Sequence, residues 1–385
     1  MRREVLNVPN LRFPEFSGEW EQYRLGDLVE IRSGVSPSGV VEDIGEFPFY
    51  KVEQLNNCHI KLGATPYWTK QSAIPADSIV FPKRGAAIMT NKIRISTQPC
   101  QIDTNLMALT VVNNEKFDFK FIYHFIDRCN LSKIADTSTI PQINNIHINP
   151  LKIRIPSFDE QKKISTLFTI LDERIATQIK VIEKLESLIR GISNILLYAD
   201  NGTSVRIGDI LTERVEKTKI NNQHEVLSST VKGIFSQREY FSKDIASENN
   251  IGYKVIRLHD VVLSPQNLWM GNINYNDRFE VGIVSPSYKI FTIADGYDKT
   301  FIASMLKTHR ALYNYMLVSE QGASVVRRNL NMEAFEQLVF KIPPYGKQCE
   351  IGRTMSTLQN RLAIANSTKT AYEQQKQWLL KQLFI

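Results

Sequence analysis

Cysteine is scarce and scattered: Cys58, Cys100, Cys129 and Cys349 form no Cys-x-x-Cys pair. That spacing argues against a disulfide framework and a zinc knuckle, and fits a reducing cytoplasm. No stretch approaches the roughly eighteen uncharged apolar residues of a membrane span. The opening Met1-Arg2-Arg3-Glu4-Val5-Leu6-Asn7 has no apolar signal core before Pro9, so secretion is not expected. No Gly-rich loop has nucleotide-binding spacing, and none ends in Gly-Lys-Ser/Thr. The six histidines (His59, His124, His147, His224, His259, His309) share no metal-ligand spacing. No metal is therefore expected.

What is present is an ordinary folded composition, 43% hydrophobic and 23% charged, in a chain of 385 residues, long enough for more than one core. The net charge of +7 is uneven. Residues 1–200 hold 24 Lys/Arg against 23 Asp/Glu, and residues 201–385 hold 23 against 17. A polyanionic partner is compatible with that excess but is not established by it.

The chain also repeats itself. Arg24-Leu25-Gly26-Asp27-Leu28 recurs as Arg206-Ile207-Gly208-Asp209-Ile210, shifted by 182. Asp77-Ser78-Ile79-Val80 has an echo in Asp260-Val261-Val262-Leu263, each followed two residues later by proline, Pro82 or Pro265. Asp118-Phe119-Lys120-Phe121-Ile122 matches Asp298-Lys299-Thr300-Phe301-Ile302. Lys152-Ile153-Arg154-Ile155-Pro156 matches Val339-Phe340-Lys341-Ile342-Pro343, shifted by 187, and Gln161, Ile164, Leu171 and Arg174 meet Gln348, Ile351, Leu358 and Arg361 at that same shift. Fragments in one order at nearly constant spacing indicate a tandem duplication.

Each copy has one plan. Strand-like runs such as Ser78–Phe81, Leu106–Val112, Val281–Val284 and Tyr288–Ile293 are separated by turn clusters. A short helix is predicted near Phe119–Cys129 and near Lys299–Leu317, and a long helix ends each copy. From Ile164 the apolar positions Phe168, Leu171, Ile175, Ile182, Leu185, Ile189, Ile192 and Leu196 step by four and three, with a polar break at Gln178. This is a coiled-coil seam of about four heptads. The second seam runs through Met355, Leu358, Leu362, Ala365, Tyr372, Leu379 and Leu383, with Lys369 and Lys376 sitting on it. Ser157 with Glu160 three residues on reads as a capping box. A helix of about 38 residues spans roughly 57 Å, against about 34 Å for a turn of B-DNA. Antiparallel helices would set one globular domain at each end.

The expected fold is α+β: a first globular domain over 1–156, a central helix over 157–200, a second globular domain over 201–343 and a distal helix over 344–385. This arrangement resembles the specificity subunits of type I restriction-modification systems. The resemblance is carried by Leu11-Arg12-Phe13-Pro14-Glu15-Phe16-Ser17-Gly18-Glu19-Trp20 before Leu25-Gly26-Asp27, by Ile155-Pro156-Ser157-Phe158-Asp159-Glu160-Gln161-Lys162-Lys163-Ile164, and by Leu171-Asp172-Glu173-Arg174-Ile175. The second copy departs from it: Pro343-Pro344-Tyr345-Gly346-Lys347-Gln348 keeps proline and glutamine but loses the acidic pair.

The resemblance implies two target-recognition domains, each reading half of a split double-stranded DNA sequence in a bacterial or archaeal cytoplasm. The helices would set the spacing and dock two methyltransferase subunits. Those subunits would carry S-adenosylmethionine, and a restriction/translocase subunit would use ATP and Mg. This chain itself would be non-catalytic. A duplicated adaptor that binds protein rather than DNA is the alternative. Catalytic motifs are imperfect. Ile342-Pro343-Pro344-Tyr345 resembles an adenine-methyltransferase loop but lacks the leading Asp or Asn, and Asn149-Pro150-Leu151 lacks the second Pro. Asp103 with Asp118-Phe119-Lys120 resembles a nuclease metal site, yet Asp118 at a helix start is better read as a cap.

DNA contact calls for Lys, Arg, Asn and Gln on paired loops. In the first copy the candidates are Lys83, Arg84, Lys92 and Arg94, then Thr139, Gln142 and Asn144. In the second they are Gln266 and Asn267, then Ser324, Arg327, Arg328 and Asn329, with Gln142 aligned to Asn329. A third candidate, Arg32–Gly39, is read as a flexible loop able to follow a phosphate.

Overall fold

The computed structural model describes residues 7–56, 59–137, 139–196, 202–240, 249–321 and 328–385. The chain divides into two compact units, one of Met1–Lys180 with Asn366–Ile385, the other of Val181–Ala365. No helix among the described residues is long and apolar enough to cross a membrane.

Unit 1 is entered by β1 (Glu21–Arg24) and built on β2 (Val29–Ser33), β3 (Ile79–Pro82), β4 (Arg94–Ile95) and β5 (Leu106–Val111). The last four form one antiparallel sheet in the order β2-β5-β3-β4. Helix α1 (Phe119–Cys129), strand β6 (Lys152–Ile155) and the long α2 (Phe158–Leu196) follow. Strand β6 pairs back on β1, Arg24 opposite Lys152. Side chains alternate across the sheet. Ile79 and Phe81 enter the core shared with the helices, while Val80 enters a second core on the other face. A sheet buried on both faces explains why these strands read as continuous apolar runs rather than alternating ones.

Unit 2 repeats the design with β7 (Thr203–Arg206), β8 (Leu211–Glu213), β9 (Val261–Leu263), β10 (Ile273–Tyr275), β11 (Lys289–Ile293), α3 (Lys299–Leu306), β12 (Val339–Ile342) and the long α4 (Tyr345–Leu383). Its sheet order is β8-β11-β9-β10. Arg206 lies opposite Val339, the counterpart of the Arg24–Lys152 pair.

The duplication extends to single hydrogen bonds. Asp118 caps α1 by accepting from Phe121 N at 2.8 Å, and Asp298 caps α3 from Phe301 N at 2.8 Å. Gln161 Oε1 accepts from Asp118 N at 2.9 Å, and Gln348 Oε1 accepts from Asp298 N at 2.9 Å. Each glutamine also donates to the carbonyl of the proline before its long helix, Pro156 at 3.0 Å or Pro343 at 2.9 Å. Despite losing the acidic pair, the second copy therefore starts its helix as the first does. The expected capping box is only half made. Ser157 Oγ accepts from Glu160 N at 3.4 Å, but the Glu160 carboxylate is held by Arg12 at 2.7 and 2.8 Å. The helix expected over Lys299–Leu317 is two helices, because Thr308 caps a new one at His309–Leu317 by accepting from Ala311 N.

Burial along the two seams falls in a gradient. Phe168, Leu171 and Ile175 on α2 are buried, as are Leu358 and Leu379 on α4; Ile182, Leu185, Ile189 and Leu362 are half-buried. In unit 1, Ile164, Phe168 and Leu171 pack with Leu379, Leu380, Leu383 and Phe384. In unit 2, Ile189 and Ile192 pack with Ile351 and Met355. In both units the early part of one helix meets the late part of the other, so the pairing is antiparallel.

Of the two seam lysines, Lys369 pairs with Glu373 one turn on at 3.1 Å. Lys376 is buried and reaches Asp172 on α2 at 2.8 Å and Asp127 on α1 at 3.0 Å. Burial alone would lower the Lys376 pKa, but Asp127, Tyr123 and Asp172 raise it above its ordinary value. Burial raises the pKa of Asp172, and Lys376 opposes that rise. His59 Nε2 lies 3.8 Å from Asp172, yet burial, then the charges of Lys376 and Arg94, bring its imidazole down to about 4. The counter-ion of Asp172 is therefore the lysine.

Candidate nucleic-acid interface

In unit 1 the chain leaves β3 through Lys83 and Arg84. Lys83 N donates to Asn105 O at 2.8 Å, and Lys83 O accepts from Ile143 N at 2.8 Å. Gly85, whose φ of 81° suits a residue without Cβ, donates to Pro141 O at 2.8 Å. Arg84 thus faces Gln142 in an antiparallel bridge. The two loops separated by more than fifty residues in sequence form one platform. Gln142 also exchanges backbone bonds with Asp136, at 2.9 and 3.0 Å, which fixes the late loop from its other side. Arg84, Thr139 and Asn144 are exposed, and Lys83 and Gln142 are half-buried. The pKa of Lys83 is lowered, first by burial and then by the neighbouring Arg84. Asn144 opens the short helix Asn145–Ile148, its N–H donating to His147 Nδ1 at 3.0 Å.

Two basic candidates lie elsewhere. Arg94 is buried, and its guanidinium donates to the Ile93 and Leu55 carbonyls at 2.8 and 2.7 Å. It is a structural residue, not a phosphate contact. Its place between Ile93 and Ile95 on a strand buried on both faces is the reason. Lys92 donates to Asn56 Oδ1 and lines a cavity of about 320 Å³ with His59, Asp127, Asp172 and Lys376. In the third candidate the first residues, Arg32–Val35, are tied down. Arg32 is held by Glu30 at 2.6 and 2.9 Å, and Val35 N donates to Ile102 O at 2.9 Å. A Cβ on Gly34 would collide with the backbone of Asp103 and Ile102.

In unit 2 the register corrects the sequence alignment by one residue. Val261 pairs with Phe291 as Ile79 pairs with Leu109. Asp77 and His259 both take a left-handed φ, 60° and 76°. Pro82 therefore corresponds to Ser264 rather than Pro265, and Gln266 occupies the place of Arg84. Gln266 is exposed, and its carbonyl accepts from Arg328 N at 3.2 Å. Again the loop after the central strand is tied to the late segment. Arg328, not Asn329, is the residue whose backbone makes that tie. Asn329 is exposed opposite Glu320. Asn267 precedes the turn Leu268–Met270 and accepts from Met270 N and Asn272 N at 3.1 and 3.2 Å. Ser324 and Arg327 lie outside the described residues.

Sequence reasoning missed the part played by Trp269. The Arg328 guanidinium sits 4.7 Å from its ring centroid. The signal available was a tryptophan two residues after the Gln266-Asn267 amide pair.

The acidic residues set out like a nuclease site are engaged in shaping the chain. Asp103 Oδ1 accepts from Asn105 N and Nδ2 at 2.7 and 2.8 Å, closing a turn, and Asp118 caps α1. Among the described residues no three His, Cys, Asp or Glu side chains are grouped to hold a metal ion.

Comparison with known proteins agrees with this architecture. The family model described as the type I restriction modification DNA specificity domain matches residues 17–187, which include the whole unit 1 platform. The type I restriction enzyme MjaIX specificity subunit of Methanocaldococcus jannaschii is 22% identical over 275 residues, covering 63% of this chain. The match spans 62% of that relative's length. The crystal structure of the S subunit of a type I restriction-modification system from M. genitalium has the same fold, with a TM-score of 0.65, 14% identity and coverage of 98% of this chain and 99% of that one. A chain from a study of assembly and conformational transition in a type I system aligns with a TM-score of 0.51 at 13% identity, covering 94% and 97%. Residues 17–187 thus match the type I restriction modification DNA specificity domain, and the chain as a whole has the fold of the S subunit from M. genitalium.

Proposed function

We propose that this chain is the DNA-reading subunit of a type I restriction-modification complex, with one half of a split sequence read by each unit. The observation that carries the reading is the platform built twice. In each copy a loop leaving the central strand is bonded to a late loop, at Arg84 with Gln142 and at Gln266 with Arg328. Both platforms present planar amide or guanidinium groups, the side chains suited to base edges. Their residues differ between copies, as two different half-sequences require.

The chemistry belongs to partners. Two methyltransferase subunits would carry S-adenosylmethionine and methylate adenine, and a restriction/translocase subunit would use ATP and Mg. In support, Asp103 and Asp118 are spent on a turn and a cap, and Ile342 cannot accept protons from a target amine. The outer faces of the long helices are the proposed docking surface for the methyltransferases. Ile170, Leu188 and Ile195 on α2 and Trp378 on α4 are exposed outside the seam. The complex would work in a bacterial or archaeal cytoplasm.

Methylome sequencing of a host with and without this chain, partner subunits intact, tests the proposal. A split adenine motif should depend on the chain. Exchanging residues 1–155 with those of a relative should change one half of the motif and leave the other. No motif change in either experiment refutes the DNA reading and favours a protein-binding scaffold.

A further inference from the structure

We infer that Arg328, held flat by Trp269, reads a guanine in the half-sequence recognised by unit 2. The inference rests on the DNA-reading role proposed above and names the base class for one position.

The Arg328 guanidinium lies over the Trp269 ring, 4.7 Å from the centroid. Stacking of this kind favours a cation and fixes the plane of the guanidinium. Trp269 is itself held. It belongs to the turn Leu268–Met270, closed by Gly271 at a left-handed φ of 94°. Lys307 Nζ donates to Gly271 O at 2.9 Å and to Val231 O at 3.3 Å, pinning that turn to the neighbouring hairpin. The stacked pair therefore stands on a rigid base.

Its hydrogen-bonding is incomplete. Trp269 Nε1 and Arg328 Nε are both buried and have no hydrogen-bond partner among the described residues. Buried donors without acceptors are uncommon in folded proteins. Indole and guanidinium groups can only donate. With Nε buried, Arg328 meets an acceptor from outside the chain through its two terminal nitrogens, which the stack on Trp269 holds in one plane. In the major groove guanine alone offers two acceptors, O6 and N7, on one edge at the spacing of an arginine fork, whereas adenine and cytosine each present an amino donor there. Arg328 is also the residue whose backbone joins the late segment to the platform at Gln266.

Among the described residues of unit 1 no arginine stacks on a tryptophan. The register that sets Ile79 opposite Leu109 and Val261 opposite Phe291 places Ala87 at the position of Trp269. Guanine selection by a stacked arginine is thus assigned to the second half-sequence.

The test uses the full chain with its methyltransferase subunits and long-read methylome sequencing. The wild-type motif should contain an invariant G·C pair in the half that follows unit 2 in domain exchange. Arg328→Gln should relax that one position, lowering discrimination there by roughly 5- to 150-fold, with the other half and the spacing unchanged. Arg328→Lys should relax the same position while retaining overall binding, because it keeps the charge and loses the fork. Trp269→Leu should relax it too, which marks the tryptophan as a positioning residue. The inference is overturned by a second half without an invariant G·C pair. It is equally overturned if Arg328→Gln weakens DNA binding and reduces its salt slope without changing the motif, which would mark a phosphate contact. Should the wild-type chain specify no motif at all, the DNA-reading role fails, and this assignment fails with it.

Discussion

Replacing Lys376 by alanine removes the counter-ion of two carboxylates from inside unit 1. Asp172 is 1% exposed, Lys376 8%, and their charged atoms are 2.8 Å apart, with Asp127 a further partner at 3.0 Å. The attraction between such groups is largely offset by what it costs to bury them, so the network adds little net stability. Its disruption is another matter. Removing one member of a buried pair leaves an uncompensated charge and costs about 3–5 kcal/mol. In a unit of this size 1 kcal/mol moves the melting temperature by roughly 2–4 °C. Lys376→Ala should therefore lower the unit 1 transition by about 6–20 °C in calorimetry. The double variant Lys376→Met with Asp172→Leu, which leaves one carboxylate in place of three charges, should recover most of that loss. A Lys376→Ala shift of less than about 2 °C, or a double variant no better than the single, would refute the argument.

Three further outcomes follow from the same contacts. Because the His59 pKa falls to about 4 from 6.5 on folding, the unfolded chain binds the proton first as pH drops. Stability from this group is thus complete above about pH 6.5 and is lost as pH falls towards 4, by at most about 3 kcal/mol; His59→Asn should flatten that part of a urea-denaturation series. Gln161→Leu should cost unit 1 about 1–3 kcal/mol by orphaning Asp118 N, Lys116 O and Pro156 O, and Gln348→Leu should cost unit 2 less, since Gln348 serves two such groups; hydrogen exchange at Phe121 and Phe301 reports each cap. Arg84→Ala should weaken DNA binding and reduce the slope of log affinity against log salt by about one if Arg84 meets a phosphate, whereas Arg94→Lys should leave that slope unchanged.

The duplication was legible because it is written in residues that act locally. Asp118 and Asp298 cap, and Gln161 and Gln348 bridge, through short contacts whose chemistry is fixed by residue type. The seam was legible for the same reason: heptad spacing needs no knowledge of the rest of the fold. Of the loops named from sequence, those of Arg84 and Gln142 meet, but their pairing depends on contacts across more than fifty residues. Arg94 misled because a basic residue beside a loop has the same appearance whether its guanidinium faces solvent or the Leu55 carbonyl. The alignment slipped at Pro82 and Pro265 because matching prolines outweighed the left-handed turn at Asp77 and His259, neither of which is glycine. Lys376 looked like a weak point in the seam, and only three-dimensional packing supplies the two acids that make it a fixed one.

That lysine also constrains how the chain can be recombined. Asp127 lies in the segment that an exchange of residues 1–155 would replace, whereas Asp172 and Lys376 would be inherited from the recipient. A donor cassette with a neutral residue at the Asp127 position would arrive compatible in fold yet leave the ammonium with one acid instead of two. In the second copy the 187-residue shift puts Ile189 where Lys376 stands and Gln359 where Asp172 stands, so cassettes for unit 2 meet no such requirement. Tolerance of exchanged segments should therefore differ between the two units, with unit 1 losing stability when a donor segment lacks the acid.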